Sequence, residues 1–215
     1  MTLIREFTKT GNYFFRNRSF LPLIFYPLAI VVVYLGRDSL TLYSGLTWSM
    51  ACFAVSVLGL SVRILVTGYV PDGTSGRNTS RQKADTLNTK GIYSQVRHPL
   101  YLGNFLMWLG LILYTEHIWF IVISILLFWL YYERIMFAEE QFVQDKFGDE
   151  YDKWAAKTPS FFPKFMKWTK PELRFSFKKV IKREYRGLFA VIISFSFFNA
   201  LMHYLNHKEL QLSMH

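Results

Sequence analysis

Two polar clusters break into otherwise apolar stretches of this 215-residue chain, and they carry the side chains best suited to chemistry. The first is Arg97-His98, directly ahead of Pro99-Leu100-Tyr101. The second is Glu139-Glu140, preceded by Glu133-Arg134. An arginine and a histidine can hold an anion, and a pair of glutamates can hold a cation or take up a proton. Each cluster also has a plain structural use. Arg97 could anchor the chain at a membrane face and His98 could cap a helix. The glutamates could begin an amphipathic helix running through Asp145, Lys146, Asp149 and Asp152. Whether the clusters meet decides between these readings, because ionisable groups at a membrane boundary are costly to desolvate unless they pair or bind something.

The elements that must position them are membrane helices. The chain is 52% hydrophobic and 19% aromatic, more than a soluble core of this size needs. Apolar segments run over residues 20–35, 42–67, 101–114, 118–132 and 188–205. About 20 helical residues cross a bilayer core, so the second and last are clear spans, and the first and fourth reach spanning length with their flanks. Segment 101–114 is too short to cross alone. It is followed at once by Thr115-Glu116-His117 and another apolar run, so it is expected to form one arm of a tight helical hairpin. A hairpin returns its two ends to one membrane face, which would bring Arg97 and His98 beside Glu139 and Glu140. No small-residue cleavage site follows the first segment, and Leu35-Gly36-Arg37-Asp38 ends it, so it is expected to be a retained helix.

The net charge of +10 is topological before anything else. With five spans and an inside amino terminus, residues 1–19, 63–99 and 133–186 hold 23 of the 25 lysines and arginines. This bias predicts a cytoplasmic amino terminus and a cytoplasmic face for the polar segments, and it makes nucleic acid a remote partner. The single cysteine, Cys52, lies in an apolar run and offers no disulfide framework. The five histidines lack ligand spacing, so no metal site is expected. The expected fold is all-α: one multi-pass membrane domain over 1–215. Its first two spans fall within 1–68, a core with the hairpin within 69–163, and a basic segment with the last helix within 164–215.

Four blocks in order then carry a family likeness: Arg97-His98-Pro99-Leu100-Tyr101-Leu102-Gly103, Glu139-Glu140, Phe147-Gly148-Asp149-Glu150-Tyr151 and Thr158-Pro159-Ser160-Phe161-Phe162-Pro163. Over residues 86–163 the chain closely resembles the isoprenylcysteine carboxyl methyltransferase and phospholipid methyltransferase superfamily. The resemblance implies S-adenosylmethionine as cofactor and a methyl acceptor embedded in the membrane. It implies that Thr86, Leu87 and Asn88, with Tyr93 after the Gly91 turn, enclose the cofactor. It implies that His98, Pro99, Leu100 and Tyr101 line the pocket, with Glu139 on the cofactor amino group and Glu140 beside it. An arginine ahead of the glutamate pair serves an acidic acceptor in such enzymes. Arg134 is the nearest match here, one position out of step with the prenylcysteine enzymes.

Physical chemistry suits this assignment. A sulfonium cofactor with a zwitterionic end calls for carboxylates, donors and aromatic faces, and methyl transfer needs alignment more than acid or base help. A phosphate or carboxylate acceptor is already nucleophilic, so Arg97 would orient it; an amine acceptor would need Glu139 or Glu140 as base. A lipid phosphate of the lipid A kind is favoured over a prenylcysteine carboxylate. Basic residues cluster on both polar segments, and the extra carboxyl-terminal helix departs from the prenylcysteine pattern. Lys178, Lys179, Lys182, Arg183 and Arg186 form one basic face ahead of that helix, either an anchor on anionic lipid or a cradle for a phosphorylated head. Arg77, Arg81, Lys83 and Lys90 could join such a cradle. Two other classes stay open: a sterol-type reductase using a nicotinamide cofactor, and a lipid-binding protein without turnover.

Overall fold

A computed structural model describes residues 2–36, 45–71, 82, 84–164 and 168–212, with side chains to residue 205. Arg77, Arg81 and Lys83 lie outside the described residues. Among those described, every regular element is helical. The order is α1 (Leu3–Asn17), a 3-10 turn (Leu21–Ile24), α2 (Phe25–Leu35), α3 (Leu46–Tyr69), a 3-10 turn (Gly91–Ser94), α4 (Pro99–Leu113), α5 (Ile118–Phe147), α6 (Asp149–Ala155) and α7 (Phe177–Leu212).

The five apolar segments resolve into helices of unequal reach. α3, α5 and residues Phe177–Leu205 of α7 are each long and apolar enough to cross a membrane. A fourth span exists if Leu3–Asn17 and Leu21–Leu35 are taken together, but these are bent by 73° from each other. α1 is amphipathic, with Arg5, Lys9 and Arg16 exposed and Gly11 and Phe15 buried, the pattern of a helix lying along an interface rather than through it. α4 has 15 residues and reaches only about 22 Å, so it is the short arm of the hairpin. The basic stretch from Lys178 is not a separate segment: it forms the first turns of α7 itself.

Small residues set the packing, as expected where lipid supplies no hydrophobic drive between helices. Along α3, Cys52, Ser56 and Gly59 face Gly103 and Gly110 of α4. A Cβ on Gly103 would lie 2.8 Å from the Gly59 carbonyl oxygen, so only hydrogen fits there. The Ser56 hydroxyl donates to the Met107 carbonyl at 2.8 Å across the same seam. α1 approaches α5 by the same device, since a Cβ on Gly11 would collide with the Arg134 carbonyl and Ala138. Between these helices sits an aromatic core of Phe15, Tyr101, Phe128, Tyr132 and Phe161 with Ile112, Ile135 and Met136.

Candidate functional site

Pro99 opens α4 with its ring where a backbone donor would have no partner, and His98 is the residue just before it. The segment after α6 fixes this turn through the backbone. Arg97 N–H donates to the Pro159 carbonyl at 2.8 Å, His98 N–H to that of Ser160 at 3.0 Å, and Lys164 N–H to that of Gln95 at 3.2 Å. Phe161, between these contacts, is buried against Phe105 and Trp129. The block from Thr158 to Pro163 thus works as a brace for the Arg97-His98 turn.

α5 supplies the other half. It is one unbroken helix of 30 residues, about 45 Å long, so its last third extends past a bilayer core that begins at Ile118. There the two hairpin arms meet. Arg97 Nε donates to Glu140 Oε1 at 3.0 Å and Nη2 to Oε2 at 3.3 Å, while Nη1 donates to the Ala155 carbonyl at 2.9 Å. His98 Nε2 lies 2.8 Å from Glu140 Oε1. Glu139 has longer contacts, 3.7 Å to His98 Nδ1 and 3.8 Å to Arg18 Nη1. Burial alone would push His98 toward the neutral form, but hydrogen bonding and charge from Glu139 and Glu140 outweigh it and raise its pKa above the ordinary value. Tyr151 on α6 is held protonated, first by burial and then by the charge of Glu140.

These groups wall a cavity of about 910 Å3. Thr86, Leu87, Asn88, Tyr93, His98, Pro99, Leu100, Tyr101 and Glu139 all line it, as do Arg97 and Glu140. The 84–88 stretch is tied down by Lys146, whose ammonium donates to the Ala84 carbonyl, and Tyr93 accepts at its carbonyl from Trp154 Nε1 at 3.1 Å. Arg134 does not line the cavity. Its guanidinium lies 3.3 Å over the Phe7 ring, on the face of α5 that packs against α1. At about 100° per residue, position 134 is turned roughly 140° from Glu139. Lys90 also turns elsewhere, pairing with the exposed Glu172 at 2.6 Å.

Several lining residues carried weaker sequence signals. Arg18 reaches in from the bend after α1, with Nη1 3.4 Å from the Tyr101 hydroxyl. On the other side, Arg63 of α3 pairs with Glu184 of α7 at 2.8 Å and also donates to Asn104. Thr67 donates to the same glutamate at 2.9 Å. Glu184 is 5% exposed. An arginine inside an apolar run is the usual mark of such a pair, but its acid was masked by the surrounding lysines and arginines. Arg183 and Arg186 complete that wall.

The profile of the phospholipid methyltransferase family matches residues 53–150. The chain is 32% identical over 160 residues to a cobalt-zinc-cadmium resistance protein of Cupriavidus metallidurans, covering 71% of each. The chain belongs to the isoprenylcysteine carboxyl methyltransferase and phospholipid methyltransferase superfamily. It is also 36% identical over 119 residues to a nickel-cobalt-cadmium resistance protein of Alcaligenes xylosoxydans xylosoxydans, a match spanning 55% of this chain and 53% of that protein. With the protein-S-isoprenylcysteine O-methyltransferase of Schizosaccharomyces pombe it shares 33% identity over 85 residues, 40% of this chain and 36% of that protein. No solved structure matches the chain. The superfamily profile takes in Arg63, Arg97, His98, Glu139 and Glu140, whereas Arg18 and the α7 wall fall outside its bounds.

Proposed function

We propose that this integral membrane protein transfers a methyl group from S-adenosylmethionine to the polar group of a membrane-embedded lipid or lipidated substrate. The observation that supports it best is the meeting of the two hairpin arms, where Arg97, His98, Glu139 and Glu140 share the wall of one cavity. The lining fits the cofactor on chemical grounds. Glu139, whose contacts to His98 and Arg18 are long, keeps acceptor capacity for an ammonium group. Tyr93, Tyr101, Tyr151 and Trp154 offer aromatic faces to a positively charged sulfur. A volume of about 910 Å3 is near the top of the roughly 300–1,000 Å3 range of small-molecule sites, room for a cofactor and the head of an acceptor. S-adenosylmethionine, when bound, supplies a methyl group on cationic sulfur.

The chain's own residues then align and exclude water. Thr86, Leu87 and Asn88 line the cavity from the loop ahead of the Gly91 turn, and His98, Pro99, Leu100 and Tyr101 line it from the start of α4. Glu140 is engaged by Arg97 and His98, so its role is to fix the turn that carries them. An ionised oxygen acceptor, a lipid phosphate in preference to a prenylcysteine carboxylate, needs no base in this arrangement. The charge distribution supports a cytoplasmic site and amino terminus. Two relatives are named for metal resistance. The reading here rests on the cavity and its lining.

Titrating the purified chain with S-adenosylmethionine and, separately, with reduced nicotinamide cofactor tests the reading. Saturable binding of the first alone is expected. Lipid mass spectrometry of cells with and without the gene should then show a species gaining one methyl group. Binding of the nicotinamide cofactor alone, or of neither, would sink it.

A further inference from the structure

We infer that Glu184 of α7 is a positioning residue for methyl transfer: it holds Arg63 of α3 on the membrane side of the cavity, where Arg63 hydrogen-bonds the oxygen that accepts the methyl group. This rests on the methyltransferase reading above. It adds to that reading a binding residue for the acceptor, and a partner for it from outside the stretch matched by the family profile.

Arg63 and Thr67 stand one turn apart on α3, and Glu184 and Gly187 one turn apart on α7. All four line the cavity, with Asn104 of α4. Arg63 meets Glu184 as a side-on fork, Nε donating to Oε2 at 2.8 Å and Nη2 to Oε1 at 3.2 Å, and the Thr67 hydroxyl donates to the same Oε1 at 2.9 Å. Arg63 Nη1 donates to Asn104 Oδ1. A guanidinium has five N–H donors, and these contacts use three. Two are left on a side chain that lines the cavity and is 21% exposed. Glu184 is buried and accepts three bonds from its neighbours, so its part is to fix the plane of that guanidinium.

Packing alone does not call for such a pair. Taking an arginine and a glutamate out of water has a desolvation cost that their attraction only partly offsets, and membrane helices can join through small residues, as α3 and α4 do at Gly59 and Gly103. Ionisable groups kept within spanning helices mark a pathway or a site, and this pair stands on the cavity wall. Its depth says which part of the site. Asn104 lies six residues past His98, about 9 Å further along α4. The Arg63–Glu184 pair is therefore deeper in the membrane than the contacts of Arg97 and His98 with Glu140. An acceptor carried on hydrocarbon presents its polar group from that side, and Leu188 and Phe189 continue α7 from Gly187 with exposed apolar side chains. An ionised acceptor oxygen gives a lone pair to the methyl carbon as the carbon–sulfur bond breaks with its electrons to sulfur. No proton moves, so what the oxygen needs from the protein is to be held in line, and a fixed charged donor does this.

The test uses the full chain in detergent, S-adenosylmethionine tritiated at its methyl group, and solubilised membranes of cells lacking the gene as the acceptor source. Label is counted in the lipid and protein fractions, and S-adenosylmethionine affinity and melting are measured on the same samples. Glu184→Gln should lower the rate at saturating S-adenosylmethionine by about tenfold or more while its Kd stays within about twofold. Arg63→Lys keeps the charge and loses the fork, so it should show the same split and carries the test alone if Glu184→Gln is not monodisperse. Ser56→Ala removes a buried bond to the Met107 carbonyl in the α3–α4 seam, away from the cavity. It should lower melting and leave the rate within about twofold. Parent-like rates in Glu184→Gln or Arg63→Lys would overturn the inference. So would a loss of S-adenosylmethionine affinity as large as the loss of rate, or an equal fall of rate in Ser56→Ala. A monodisperse parent that binds no S-adenosylmethionine, or labels neither fraction, overturns the methyltransferase reading, and the inference falls with it.

Discussion

Glu139 and Glu140 are neighbours in sequence with opposite predicted behaviour, and substituting each by glutamine separates cofactor binding from architecture. Glu140 accepts two bonds from Arg97 and stands 2.8 Å from His98, with Arg97 17% and Glu140 25% exposed at their side chains. Removing one partner of a buried pair costs roughly 3–5 kcal/mol. Partial exposure and the oxygen that glutamine retains reduce this to about 2–3 kcal/mol. For a chain of this size that is a fall of roughly 4–12 °C in melting temperature. Glu139 stands 3.7 and 3.8 Å from its cationic neighbours, so Glu139→Gln should change melting by about 2 °C or less. It should instead lose a charge-assisted contact to the cofactor of about 1.5–3 kcal/mol, a 10- to 150-fold rise in Kd. Calorimetric titration with S-adenosylmethionine and a fluorescence melt on the same detergent sample read both quantities. Undiminished affinity in Glu139→Gln, or unchanged melting in Glu140→Gln, would refute the division of labour.

Other consequences are equally open to measurement. His98 has a raised pKa in the folded chain, so the stabilisation it contributes is complete below about 6.5 and is lost as pH rises through the raised value. Melting temperature should fall over that window, and His98→Gln should flatten the dependence. Arg134→Gln should leave S-adenosylmethionine affinity within about twofold and cost only the stacking on Phe7, about 1–2 kcal/mol, because its side chain faces α1. Gly103→Leu should separate α3 from α4 and abolish monodisperse expression, whereas leucine at Gly45, where a Cβ meets nothing within 4 Å, should be tolerated in size-exclusion chromatography.

The hairpin was legible in the sequence because its signals are local. Pro99 marks one start, Thr115-Glu116-His117 marks the turn, and the reversal of direction dictates that the far ends meet. Glu116 makes this turn with a φ of 57°, which few non-glycine residues adopt. The residues around Arg97 and Glu140 followed from that topology. Arg18 did not, because hydropathy sees α1 as a charged flank and carries no trace of the bend that aims Arg18 inward. Glu184 was hidden for a related reason: among Lys182, Arg183 and Arg186 it reads as one acid in a solvated face, and only its contact with Arg63 on another helix reveals it as buried. Arg134 differs from these in the opposite sense: the sequence names it, and it lies off the cavity wall. The resemblance alone offers it, one position out of step, and helical rotation aims its side chain at α1 instead of the cavity. The α3–α4 seam depends on pairing small residues across two helices, information that neither segment holds alone.

One consequence of α5 reaches beyond the residues it carries. Glu139 and Glu140 ride on the same continuous rod as Phe128, deep in the apolar core, whereas His98 is moored to Ser160 and Arg97 to Pro159 through main-chain bonds. Helices answer a thicker or thinner bilayer by tilting, and a stiff rod carries that tilt to its far end undiminished. Such a tilt would load the Arg97–Glu140 and His98–Glu140 contacts that tie the rod to the moored turn, so affinity for S-adenosylmethionine should follow acyl-chain length even when the headgroups offered stay the same.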